Sequence, residues 1–208
     1  SQDYDNGNVR TSLGYDLSNQ SNYYGDANTT RVIVYLNGSF YGIGNLIESY
    51  TKSNIAKKYS LDKNININEF KDNQEKILLQ QMGISDLFEN DLNIKSNRDS
   101  LEESFDMDDY LTYYAIELLM NNVDWPWKNC EIWNYTGKYN SSNKYTDGRY
   151  RYLIYDLDLT YYTEEYELWD GVGNDKLVTL LKDKSSSYFS NVMESDYYRN
   201  KFLIIMQD

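Results

Sequence analysis

Four oxygen-bearing side chains near the middle of the chain have the types and spacing of a metal–phosphate site. Asp124 and Asn129 form a D-x4-N pair within Val123-Asp-Trp-Pro-Trp-Lys-Asn129, and Asp156 and Asp158 close the run Ile154-Tyr-Asp-Leu-Asp158. Phosphoryl transfer needs a carboxylate that orients or deprotonates the acceptor hydroxyl, and an amide plus a carboxylate that hold a divalent cation on the phosphates. Asp124 suits the first task. Asn129 can turn its carbonyl oxygen to a metal, and Asp156 or Asp158 can supply the anionic ligand. The same residues also suit plain structure, since Asp and Asn cap turns and D-x4-N arises by chance in a chain rich in both.

Composition removes most rival chemistries. There is no histidine, so His ligands, His bases and Ser-His or Cys-His catalysis are excluded. One cysteine, Cys130, excludes an intrachain disulfide and a Cys-based zinc site, and reads as a small buried hydrophobe. The formal net charge of −13 argues against a nucleic-acid partner. It also means that a bound polyphosphate would need a divalent cation to screen repulsion. No apolar run approaches a membrane span. With 208 residues and 40 % hydrophobic content the chain can bury a core; 23 tyrosines against 6 phenylalanines predict a core whose hydroxyls need partners.

The elements that must position these groups follow from periodicity. Val9, Leu13 and Leu17 fall on one stripe of a helix capped by Asn6 or Asn8. Arg31-Val-Ile-Val-Tyr-Leu36 reads as a buried strand, turned by Asn37-Gly38 into a partner over residues 39–47 whose Gly42 and Gly44 leave the backbone open to approach. Residues 60–100 are less regular, with 69–82 the most helix-like. Ser104 is expected to cap a central helix with Met107, Leu111, Tyr114 and Leu118 facing the core, ending at Asn121-Asn122. Strands over 129–135 and 149–155 follow, joined by a soluble, mobile loop over 136–148. Helices over 176–181 and 193–206 complete the chain, which shows no domain boundary. Trp125, Trp127 and Trp133 read as core, with stacking on a sugar or peptide as the alternative.

Taken together, four blocks resemble the CotH family of spore coat protein H and its kinase-like relatives. They are Val34-Tyr-Leu-Asn-Gly-Ser-Phe-Tyr-Gly-Ile-Gly-Asn-Leu-Ile-Glu48, the helix into Asn122-Val-Asp-Trp-Pro, Tyr152-Leu-Ile-Tyr-Asp-Leu-Asp158, and Tyr197-Tyr-Arg-Asn-Lys-Phe202. The resemblance runs along nearly the whole chain. It implies an α+β, atypical protein-kinase-like fold, with a partly truncated N-lobe and hinge over about residues 1–50 and a mainly helical C-lobe over 51–208. It implies that Asp124 is the catalytic-loop aspartate, Asn129 the metal asparagine, Asp156 the metal aspartate and Asp158 a second ligand or support. Ile47, Glu48 and Ser49 would lie along the adenine edge, with Glu48 alternatively an arginine's partner.

The implied activity is transfer of the γ-phosphate of ATP, with Mg²⁺ or Mn²⁺, to Ser or Thr hydroxyls of a spore-coat or secreted protein. The chain departs from the family in lacking the strand-rich segment whose basic residue suits the nucleotide phosphates; no lysine precedes Lys52, and Arg10 reads as structural. It therefore reads as a fragment that is inactive alone. A catalytically inactive surface or coat module of the same fold is the first alternative. A carbohydrate-associated accessory domain with an exposed row of rings is the second.

Overall fold

The computed structural model describes residues 9–21, 23, 25, 27–70, 74–161 and 176–207. The chain opens with helix α1 (Arg10–Gln20), followed by the antiparallel pair β1 (Thr29–Leu36) and β2 (Ser39–Ile47). Asn37 and Gly38 both have positive φ, 51° and 84°, as a tight two-residue hairpin turn requires. Then come α2 (Lys52–Lys58), β3 (Ile65–Phe70), α3 (Glu75–Gln81), α4 (Asp86–Glu89), α5 (Lys95–Ser104) and α6 (Met107–Leu119). Strands β4 (Cys130–Tyr135) and β5 (Arg151–Leu153) precede helices α7 (Lys176–Lys182), α8 (Phe189–Glu194) and α9 (Asp196–Ile205). The protein is thus mixed α and β, with a two-stranded sheet and a three-stranded antiparallel sheet ordered β3-β4-β5.

Strands β4 and β5 are buried on both faces, and their period-2 alternation divides the core. Cys130, Ile132 and Tyr152 join the larger cluster built around α6, while Trp133, Tyr135 and Leu153 join a smaller one with Ile55, Ala56, Tyr59 and Ile65 of α2 and β3. The larger cluster is aromatic: Tyr114 stacks on Phe189 at 4.5 Å between centroids and meets Trp125 edge-on at 4.6 Å. Many of its hydroxyls find partners, as the tyrosine content requires. Tyr114 and Tyr152 both donate to Glu75, Tyr188 to Glu89, and Tyr23 to the carbonyl of Tyr152. Trp125 and Trp133 are core residues, and Cys130 is buried.

Five expectations are corrected. The helix at the start exists, but Val9 and Leu13 face solvent and its buried residues are Gly14, Tyr15 and Ser18; the caps expected at Asn6 or Asn8 lie outside the described residues. The strand read as buried belongs to a ribbon open on both faces, with Ile33, Tyr35 and Tyr41 each more than half exposed. The helix-like stretch over 69–82 is helical over Glu75–Gln81, but its first two residues, Glu69 and Phe70, end a strand that begins at Ile65 and pairs with β4. The cap of α6 is Asp106, whose carboxylate accepts the Asp109 N–H, while Ser104 ends α5. The loop over 136–148 is anchored: Asn143 donates to the carbonyl of Tyr59 at 2.9 Å, and Asp147 pairs with buried Arg151 at 2.8 Å.

Candidate functional site

Asp124 is placed by the way α6 ends. Asn121 adopts a left-handed φ of 47°, the Asn121 N–H returns to the Leu118 carbonyl (3.1 Å), and the Asn122 N–H to that of Glu117 (3.3 Å). These are the two bonds of a Schellman stop, with Asn rather than Gly at the left-handed position. Past it the chain turns through Val123 and Asp124, and the Asp124 carbonyl accepts the Lys128 N–H at 2.9 Å. The peptide between Trp125 and Pro126 is cis.

Asp156 and Asp158 are placed by β5. The register pairs Glu131 with Leu153, so Asn129 and Asp156 leave the β4–β5 ladder at the same end. Both take left-handed φ, 61° and 58°. Asn and Asp tolerate that region better than other side chains, and residues held there often mark functional sites. Two backbone bonds then stitch the exit of β5 to the exit of α6: the Val123 N–H donates to the Leu159 carbonyl at 3.3 Å, and the Tyr161 N–H to the Met120 carbonyl at 2.6 Å. Thr160 braces the turn through its hydroxyl, which donates to the Leu157 carbonyl.

This stitching brings the acids within each other's field. The Asp156 carboxyl is pushed above the usual carboxylate range, first by burial, then by the negative charge of Asp158, with Asp124 adding to it. Among the described residues no group of three or more acids or thiols is already arranged as a metal cage. The donor set still fits a hard cation, because Mg²⁺ takes one or two carboxylates and completes its shell with waters and substrate phosphates. All four candidates offer oxygen, and a divalent charge would relieve the repulsion raised at Asp156.

The three residues expected along an adenine edge are separately placed. Ile47 ends β2; Glu48 and Ser49 line a shallow cleft with Tyr50, Asn54, Ile55, Lys58, Tyr59 and Leu153. The segment between β2 and α2 is joined to the exit of β5, since the Tyr50 hydroxyl donates to the Ile154 carbonyl at 2.6 Å. Glu48 accepts from the Asn28 side chain at 2.8 Å, so its recorded partner is an amide. Its N–H donates to the Asn28 carbonyl, and the Ser49 carbonyl accepts from Thr51 N–H and the Asn54 amide.

Two buried groups beside the acids escaped the sequence reading. Glu117 of α6 is fully buried, accepts from the Asn122 side chain at 3.0 Å, and is pushed up to about 8 by burial, against the Asn122 bond and the Lys176 charge. Lys176, first residue of α7, is 6 % exposed and donates to the Asn122 carbonyl at 2.7 Å and the Val123 carbonyl at 3.3 Å. In sequence it merely opens an apolar run.

The model of the CotH kinase protein family matches residues 1–208, the whole chain. The protein belongs to the CotH family. No curated protein matches the chain. CotH membership suggests a kinase-like protein. Among its described residues this CotH protein has no helix long and apolar enough to cross a membrane.

Proposed function

We propose that this CotH protein is a metal-dependent phosphotransferase with an atypical protein-kinase-like fold, acting from ATP on Ser or Thr hydroxyls of a spore-coat or secreted protein. The observation that carries the reading is the stitching of the Asp124 turn to the turn bearing Asp156 and Asp158. That stitching supports reading Asp124 with the acceptor and Asp156 and Asp158 with the phosphates. Asp124 accepts the proton of the attacking hydroxyl as that hydroxyl's oxygen bonds the γ-phosphorus, and the bond from the γ-phosphorus to the bridging oxygen breaks to release ADP. Asn129 and Asp156 hold the cation, and Asp158 is a second ligand or supports Asp156. When bound, Mg²⁺ or Mn²⁺ neutralises charge on the phosphates. Ile47, Glu48 and Ser49 lie along the adenine edge. Residues 1–50 belong to the N-lobe and hinge, and the remainder to the C-lobe of a single domain; the protein acts outside the cytoplasm.

A second reading, a coat or surface module without chemistry, draws support from the hinge. There the Glu48 N–H and the Ser49 carbonyl already bond within the chain, leaving fewer backbone groups for a purine. Calorimetric titration of ATP with Mg²⁺ and with Mn²⁺ into the full-length protein separates the two. Metal-dependent binding that Asp156→Asn abolishes supports the phosphotransferase. No binding by the folded protein with either metal hands the site to the second reading.

A further inference from the structure

A lysine buried to 6 % exposure must bond its ammonium well to offset lost hydration. The recorded bonds of Lys176 go to two successive backbone carbonyls, Asn122 and Val123, and its ammonium lies 4.2 Å from the centre of the Trp127 ring and 5.9 Å from that of Trp125. These contacts belong to one turn, residues 122–127, and that turn carries Asp124. The turn leaves the C-terminal end of α6, where unpaired carbonyls and the helix dipole both favour a cation. Burial lowers the Lys176 ammonium to about 7, against the pull of Glu117 from α6 and Asp124 from the turn itself. Asn122 links the two side chains: its own side chain donates to Glu117 while its carbonyl accepts from Lys176.

We propose that Lys176 is a positioning residue that latches the turn bearing Asp124. The inference deepens the phosphotransferase reading and, for its effect on turnover, rests on it. The latch arrives from α7, an element remote in sequence from the turn, so docking of α7 and alignment of Asp124 become one event. Lysine bonds the two carbonyls through separate hydrogens of one ammonium, and a methionine of similar length keeps the packing while removing both bonds. Arginine keeps the charge and the donors.

The test compares wild type, Lys176→Met and Lys176→Arg in the full-length protein, each first shown to be folded by its thermal transition. Amide exchange is read over residues 119–130, and ATP turnover with Mg²⁺ gives kcat and KM. The expected result is faster exchange confined to that segment in Lys176→Met. A fall in kcat of about tenfold or more should accompany it, with KM for ATP changed less than about twofold. Lys176→Arg should recover both. A folded Lys176→Met with wild-type exchange and wild-type kcat overturns the proposal, as does a loss that Lys176→Arg fails to recover. If wild type shows no turnover, the functional reading has failed, and the exchange comparison alone then decides whether Lys176 holds the turn.

Discussion

The carboxylate of Asp109 accepts the backbone N–H of Tyr152 at 2.8 Å, tying the first turn of α6 to the middle of β5. The two elements that deliver Asp124 and Asp156 are therefore joined at their near ends by this bond, and at their far ends by the bond from Val123 to Leu159. A carboxyl in that place is isolated from water. Burial pushes Asp109 up to about 8, against the Tyr152 bond, with Asp106 adding to the rise and Arg151 and Lys144 opposing it.

The sign of the resulting pH dependence follows from proton counts. An unfolded Asp titrates near ~3.9, so between about pH 4 and 8 the folded state binds the extra proton and stability falls as pH rises. Glu117, pushed up to about 8, acts in the same direction. Asp109→Asn keeps a carbonyl oxygen for the Tyr152 N–H and has no proton to lose. Urea unfolding at pH 5 and pH 8 should show a smaller loss across the interval for Asp109→Asn than for wild type. An equal loss in both would mean that Asp109 ionises freely in the fold.

Asn129 separates stability from function. Its φ of 61° costs glycine nothing, so Asn129→Gly should unfold within about 1 kcal/mol of wild type. The same change deletes the amide proposed to face the cation, and Mg²⁺-dependent ATP binding should weaken by about tenfold or more. Paired denaturation and calorimetry read both effects. Unchanged binding by the folded variant would remove Asn129 from the metal set.

Proton release offers a test of Asp156. Its carboxyl is held above the usual range by burial and by Asp158, so more of it is protonated in weakly acidic solution than an ordinary aspartate. A cation must displace that proton, which makes affinity fall as pH falls. Titrations of Mg²⁺–ATP in buffers of different ionisation enthalpy should report proton release that grows from pH 7 towards pH 5. Release should vanish in Asp156→Asn, along with the binding. Proton release that stays flat with pH would show that Asp156 is not the group displaced.

The legible parts of the fold were those written in local pattern. Asn37-Gly38 announced its hairpin, the 3.6-residue stripe announced α6, and the strands around Trp133 and Tyr152 announced β4 and β5. Strand β3 was missed because Ile65 and Ile67 make too short an alternation to outweigh the helical residues after it. Exposure of β1 and β2 could not be read either, since Val, Ile and Tyr favour strands whether or not a partner layer covers them. Among the candidate site residues, Asp124, Asn129, Asp156 and Asp158 stood out because acids and amides between apolar runs are conspicuous. Lys176 did not, because its recorded acceptors are backbone carbonyls, which every residue carries. Buried Asp109, Glu117 and Glu75 were hidden for the same reason: their partners lie far along the chain or on the backbone.

Glu75 gives the clearest stability test of such hidden acids. It is fully buried, and it accepts from the Tyr114 hydroxyl at 2.9 Å, the Tyr152 hydroxyl at 2.7 Å and the Tyr188 N–H at 3.0 Å. One carboxyl therefore joins α3 to α6, β5 and the start of α8. Burial pushes it above the usual range, while the three bonds pull it back. Glu75→Ala leaves three buried donors without an acceptor and should cost about 3–5 kcal/mol. Glu75→Gln keeps the shape and one acceptor oxygen, and should cost about 1–2 kcal/mol. The partners Tyr114→Phe and Tyr152→Phe should each cost less in the Glu75→Ala background than in wild type, because the bond they lose is already gone. Urea unfolding of the cycle checks this. Additive losses would show that the hydroxyls draw their stability from packing and not from Glu75.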